Sequence, residues 1–196
     1  MRWRLSSFKQ MGTELSIAAL QDSDIQEIAK LQEENLRANL TAEQMLDGYL
    51  SLGFSDEQFR AFNRDLGVVV ARAEGKVVGY CCVSSATFNA PFPILDQIVS
   101  GLSDYDIPGA DEKPTETTTS IYGPACIAKD YRGQGVLKFL FDQAVTLSVV
   151  AGYAFCFSFV SVENQRSLVA HLKLPFQEVG KVSFNENEYS VIACKI

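Results

Sequence analysis

"GPACIAKDYRGQGVLKFLF" (residues 123–141) decides how the rest of the chain is read. It opens as a strand-like run, turns through two glycines placed behind an arginine, and ends in an apolar stretch of helical character. At a helix start the first backbone N–H groups have no partner inside the helix, and the helix dipole favours negative charge there. Gly133 and Gly135 carry no Cβ, so an anion can approach those amides closely. Arg132 adds a planar fork of donors suited to phosphate oxygens. The plain alternative is a strand-to-helix turn, where glycines are common. Two phosphate patterns fail outright. No G-x-x-x-x-G-K-[ST] occurs, and a G-x-G-x-x-G begun at Gly133 would need glycine where Lys138 stands. ATP and NAD lose ground for that reason.

Outward from this stretch the elements fall into place. Residues 120–128 predict a strand, and a helix runs from the glycines to about Ala151. Residues 153–160, "YAFCFSFV", are apolar almost without alternation, as a strand buried on both faces should be. A strand–helix–strand unit of this kind predicts a parallel, right-handed crossover. Upstream, residues 14–20 predict a strand. Ser23 with Gln26, Thr41 with Gln44 and Ser55 with Gln58 have the form of capping boxes and predict three helix starts. "GVVVARAEGKVVGYCCVSSA" reads as a hairpin turning at Gly75. "PFPILDQIVSGL" predicts a short helix before a polar loop that carries Asp104, Asp106, Asp111, Glu112 and Glu116. A helix begins near Glu163 and stops before Pro175, and a closing hairpin turns around "NENE". The expected architecture is one α/β domain with a mixed, mostly antiparallel sheet and a central parallel strand pair. Residues 13–196 form that domain, and residues 1–12 are set apart as an N-terminal extension.

Composition narrows the function. With 47% hydrophobic residues in 196, a sizeable core is available. A net charge of −7 argues against a nucleic-acid partner, whose phosphates call for clustered Lys and Arg. Five cysteines include no C-x-x-C pair, and His171 is the single histidine, so no zinc spacing and no metal is expected. The odd cysteine count and the lack of a signal peptide point to a reducing cytoplasm. No apolar run is long enough for a membrane helix.

The wider stretch at residues 123–136 resembles the acetyl-CoA-binding motif of the GCN5-related N-acetyltransferases (GNAT family), a G-P-x-x-V strand followed by [QR]-x-x-G-x-[GA]. Arg132, Gly135 and Leu137 fall on the second pattern, with Leu137 in place of the usual Gly or Ala. Residues 163–176, "ENQRSLVAHLKLPF", resemble the family's N-x-x-A-x-x-L-Y-x-K-L-G-F. Asn164, Ser167, Lys173, Leu174 and Phe176 align without gaps, Pro175 replaces Gly, and His171 takes the Tyr position. The resemblance implies an acetyl-CoA-dependent N-acetyltransferase that passes an acetyl group to a primary amine by direct attack on the thioester. The amine would be a small molecule or a peptide.

By the same resemblance, the pantetheine arm would contact the backbone of Cys126 and Ile127, the pyrophosphate the amides from Arg132 through Gly133, Gln134, Gly135 and Val136 to Leu137, and Asn164 would either cap its helix or touch the arm. His171 would serve as general acid towards the departing thiolate, since imidazole titrates near neutrality. For the base, Glu116, Glu163, and Tyr122 or Ser120 acting through water stay open. The acidic loop would attract a cationic amine or is simply solvated. An exposed sheet edge at the C-terminal hairpin would favour a homodimer. Leu137, Pro175 and His171 also keep open a module of the same fold that binds CoA without turning it over.

Overall fold

The computed structural model describes residues 6–10, 13–88 and 93–196, with side chains from Glu14 onward. Its strands are β1 (Ser6–Gln10), β2 (Thr13–Ala19), β3 (Gly67–Ala73), β4 (Lys76–Ser85), β5 (Thr119–Ile127), β6 (Phe155–Ser161), β7 (Gln177–Phe184) and β8 (Asn187–Lys195). They form one sheet in the order β1-β2-β3-β4-β5-β6-β8-β7. Every pair is antiparallel except β5–β6, which is parallel. The mixed sheet with a central parallel pair is therefore as expected. The sheet begins earlier than the reading placed it, because Ser6–Gln10 pairs with β2 inside the stretch set apart as an extension.

Alternation along the strands builds two cores. Val68 and Val70 face one side with Tyr80 and Cys82, under α1 (Ile25–Glu33), α3 (Asp56–Asp65) and α4 (Pro93–Ser100). Val69 and Ala71 face the other, under α5 (Val136–Val150) and α6 (Gln165–His171). Fully burying one such valine contributes about 1.5–3 kcal/mol, so β3, covered on both faces, stabilises the domain through both cores. The β3–β4 and β7–β8 hairpins close as two-residue turns with positive φ, Glu74–Gly75 (51° and 82°) and Asn185–Glu186 (47° and 62°). That geometry matches the twist of the flanking strands.

Two of the three capping boxes form as read. Thr41 and Gln44 bond reciprocally ahead of α2 (Ala42–Met45), and Ser55 and Gln58 ahead of α3. The first does not. The reciprocal pair is Gln21 with Asp24, and the Asp24 carboxylate also pairs with Arg72 in a largely buried ion pair. A charged acceptor that answers both a backbone N–H and a guanidinium outcompetes a serine hydroxyl. Among the described residues no helix is long and apolar enough to cross a membrane.

The sheet opens at one place. β5 and β6 pair only at Thr119↔Phe155, Ser120↔Cys156 and Ile121↔Phe157, and both strands run on past that point without pairing. Immediately beyond, β5 carries an extra residue against β4. Cys81 faces Ala125 and Val83 faces Tyr122, leaving Gly123 and Pro124 opposite Cys82. A bulge bends the strand that carries it. Gly123 has φ 114°, a conformation that a side chain would strain.

Candidate functional site

Two cavities meet where β5 and β6 part. One, of about 370 Å³, lies over the glycine turn. The other, of about 350 Å³, lies towards α3, α4 and the β7–β8 hairpin. Tyr49, Leu50, Ala125, Ser167 and His171 line both, so they form the passage between them.

The first cavity holds the phosphate features. Residues 129–131 make a 3-10 turn, Gly133 (φ 72°) and Gly135 (φ 80°) take left-handed conformations, and Gly135 caps α5. Tyr131 and Arg132 spend their amides on the carbonyls of Ala128 and Lys129. The amides of residues 133–138 donate no hydrogen bond among the described residues, and the next intrahelical bond runs from Phe139 to the Gly135 carbonyl. A Cβ built on Gly133 meets nothing within 4 Å, so space lies open in front of it. Successive free amides at a helix start form an anion cradle. Leu137 is half-buried and lines the cavity without filling it, while Val136 turns into the core. The residues present thus fit a pyrophosphate.

Arg132 corrects the reading of the turn. Its Nε donates to the Ile127 carbonyl at 3.0 Å, Nη1 to the Asp47 carbonyl at 2.8 Å and Nη2 to Asn35 Oδ1 at 2.5 Å. The fork is spent on protein acceptors. It ties the turn to the end of α1 and to the loop after α2. One of the backbone groups assigned to the cofactor arm, the Ile127 carbonyl, is taken by the same side chain. Gln134 likewise turns back, donating to the Asp130 carbonyl. The amide of Arg132 is not part of the cradle, which shifts by one residue to 133–138.

Cys126 is buried, and burial pushes its thiol up to about 12. Cys81, Cys82 and Cys156 are displaced upward too, with burial first among the causes for Cys81 and Cys82 and the thiol of Cys194 first for Cys156. None of these is a thiolate near neutral pH, so none is a covalent nucleophile.

His171 sits in the passage and is 8% exposed. Nδ1 lies 2.8 Å from the Ser167 carbonyl, which can only accept, so Nδ1 carries the hydrogen and Nε2 the lone pair. Burial lowers its pKa, and the Ser167 carbonyl opposes that only in part. The imidazole is therefore neutral near pH 7 and is a proton acceptor at Nε2. A general-acid role would therefore require the ring first to take up a proton at Nε2. Its ring packs edge-on to Tyr122 at 5.7 Å and near Phe176 at 6.4 Å.

The proposed carboxylate is placed elsewhere: Glu116 is exposed, precedes β5 at the closed end of the parallel pair, and lines neither cavity. Tyr122 lines the second cavity beside His171, but its ring is wedged against Phe141 and Phe176, its hydroxyl is buried near the Cys81 thiol, and burial drives its pKa well up. Glu163 is exposed and pairs with Arg37 at 2.9 Å. Asn164 precedes α6 but makes no side-chain cap. Its Nδ2 donates to the Tyr49 carbonyl at 2.8 Å, and its Oδ1 is buried without a partner. It lines the second cavity, not the one over the glycine turn. Tyr49, Asn35 and Asp47 escaped the sequence reading because they act across 85 to 115 residues of chain, and nothing local marks them. Among the described residues no cluster of three or more His, Cys, Asp or Glu could hold a metal ion.

No protein-family model matches the chain, and no curated protein matches it in sequence. Solved structures do. The ribosomal-protein-alanine N-acetyltransferase of Brucella melitensis aligns over 92% of this chain and 99% of its own, with TM-score 0.61 and 16% identity. An N-acetyltransferase of Staphylococcus aureus aligns over 93% and 97%, with TM-score 0.58 and 14% identity. A protein of Salmonella typhimurium assigned to the acetyltransferases, solved with its cofactor acetyl-CoA, aligns over 92% and 93%, with TM-score 0.59 and 12% identity. At such identities the likeness is one of fold. The chain has the single-domain α/β fold of the GNAT-type N-acetyltransferases.

Proposed function

We propose that the protein is an acetyl-CoA-dependent N-acetyltransferase acting on a primary amine. One observation carries this reading: the gap between β5 and β6 joins a cradle of free amides at residues 133–138 to a second cavity, with His171 in the passage. A thioester cofactor would supply an activated acetyl carbonyl there. The cradle would hold its pyrophosphate, and the unpaired length of β5 would hold its extended arm as a strand edge holds a peptide. The amine nitrogen would bond to the carbonyl carbon as the C–S bond breaks. The proton it sheds would pass to His171 Nε2 and leave with the thiol. Because the cysteines of known displacement are thiols, direct attack is favoured over an acyl-enzyme. The fold-level likeness to acetyltransferases supports the same conclusion.

The test has two stages. Saturating acetyl-CoA at about 100 times its Kd should add about 2.7 kcal/mol of stability, while ATP and NAD should not. Release of free thiol should then depend on an added amine. Binding without amine-dependent thiol release would instead identify a CoA-binding module, and no thermal shift at all would reduce the glycine turn to a turn.

A further inference from the structure

The second cavity is almost uncharged. No Asp or Glu among the described residues lines it. The acidic loop that the sequence offered as a lure for cations contributes nothing to its walls, and Asp106 in that loop is paired with Lys113. Among the described residues Arg37 is the one charged side chain on the wall. It is paired with Glu163 and stacked 5.4 Å from the Tyr49 ring.

Two pairs of aromatic rings line the cavity. Phe54 and Phe62, in edge contact at 5.4 Å, come from α3 and the loop before it. Phe159 and Tyr189, in edge contact at 5.9 Å, come from β6 and β8.

We propose that the acceptor is a small primary amine with an aromatic or branched apolar body and no second charge. The proposal rests on the acetyltransferase reading and specifies its substrate. Three features carry it. Cationic acceptors such as polyamines or lysine-rich peptides need carboxylates to offset their desolvation, and the wall provides none. An amine stripped of water in an apolar cavity is favoured in its neutral form, which is the nucleophilic one. The volume, about 350 Å³, lies at the low end of small-molecule pockets and suits a compact body.

The experiment compares 2-phenylethylamine, spermidine, free lysine and phenylalanine as acceptors, reading thiol release from acetyl-CoA. In parallel, calorimetry measures binding of each amine to the protein without acetyl-CoA. Expected is a kcat/KM for 2-phenylethylamine above the other three by about tenfold or more, with the same order in binding. Phe159→Glu should shift the order towards spermidine, and Phe159→Leu should keep it. Spermidine or lysine preferred by the wild-type protein, or 2-phenylethylamine neither bound nor turned over, overturns the proposal. If 2-phenylethylamine binds preferentially while acetyl-CoA neither binds nor reacts, the cavity assignment stands and the acetyltransferase reading falls. The wild-type amine series decides even if Phe159→Glu does not fold.

Discussion

Replacing Arg132 by Ala separates two accounts of the glycine turn. If the guanidinium served phosphate, its loss would leave the free protein as stable as before and cripple cofactor binding. The structure gives the opposite order, because its three bonds go to Ile127, Asp47 and Asn35. A hydrogen bond made by a charged group contributes about 1.5–3 kcal/mol. Losses within one cluster do not add, so about 3 kcal/mol is a fair figure for the three together. For a chain of this length that is a drop of about 6–12 °C in Tm. The amides at 133–138 remain, so acetyl-CoA affinity should weaken by less than about tenfold, through looser positioning of the turn. Arg132→Lys keeps the charge but cannot make all three bonds, and it should lose most of the same stability. The assay is thermal unfolding of both variants without ligand, followed by titration with acetyl-CoA. An unliganded Tm within about 2 °C of wild type, together with a Kd weakened by more than about 100-fold, would refute the reasoning.

Other expectations are shorter. Gly133→Ala should lower acetyl-CoA affinity while costing the free protein only about 1–2 kcal/mol of left-handed strain, since a Cβ there meets no protein atom within 4 Å and points into the open cradle. Unfolding and ligand titrations on one sample would separate the two effects. Stability should fall as pH drops below about 6.5, the ordinary histidine value. The folded pKa of His171 lies under the unfolded one, so the unfolded chain takes up the proton first and protonation favours unfolding. Denaturant melts from pH 7.5 to 5 on wild type and His171→Phe should show that part of the slope only in the wild type. Gly180→Ala should destabilise by about 1–3 kcal/mol, because its Cβ would stand 2.8 Å from Tyr105 Cε1 and push that ring against Phe157, whose centroid lies 5.7 Å away. A Tm unchanged in Gly180→Ala would show that Tyr105 moves aside freely.

The sequence carried the fold because its signals are local. An unalternating apolar run at β6, two-residue turns at Gly75 and Asn185–Glu186, and boxes at Thr41 and Ser55 each need only a few neighbouring residues to read. Local signals also misled. Ser23 with Gln26 has the right form, yet Asp24 won the cap through a partner, Arg72, on a distant strand. The site was legible only as far as backbone conformation goes. Gly133 and Gly135 marked a cradle because glycine itself permits it, whereas the aim of Arg132, Asn164 and Tyr122 depended on partners that no window of sequence contains.

That difference bears on the chemistry as well. Read along the chain, the base stayed open among Glu116, Glu163 and a water held by Tyr122 or Ser120. In the folded protein both carboxylates are exposed, and neither lines a cavity. The burial that lowers the His171 pKa and the Ser167 carbonyl that holds its hydrogen on Nδ1 belong to the same passage, which opens on a cavity lined by no Asp or Glu among the described residues. An environment that disfavours imidazolium also disfavours a bare ammonium. An amine seated there would have shed most of its proton-binding tendency on entry, and a weak base would suffice for what remains. Carboxylate catalysis and a cationic acceptor would belong together in an anionic cavity. A neutral imidazole and the apolar acceptor proposed above would belong together in this one.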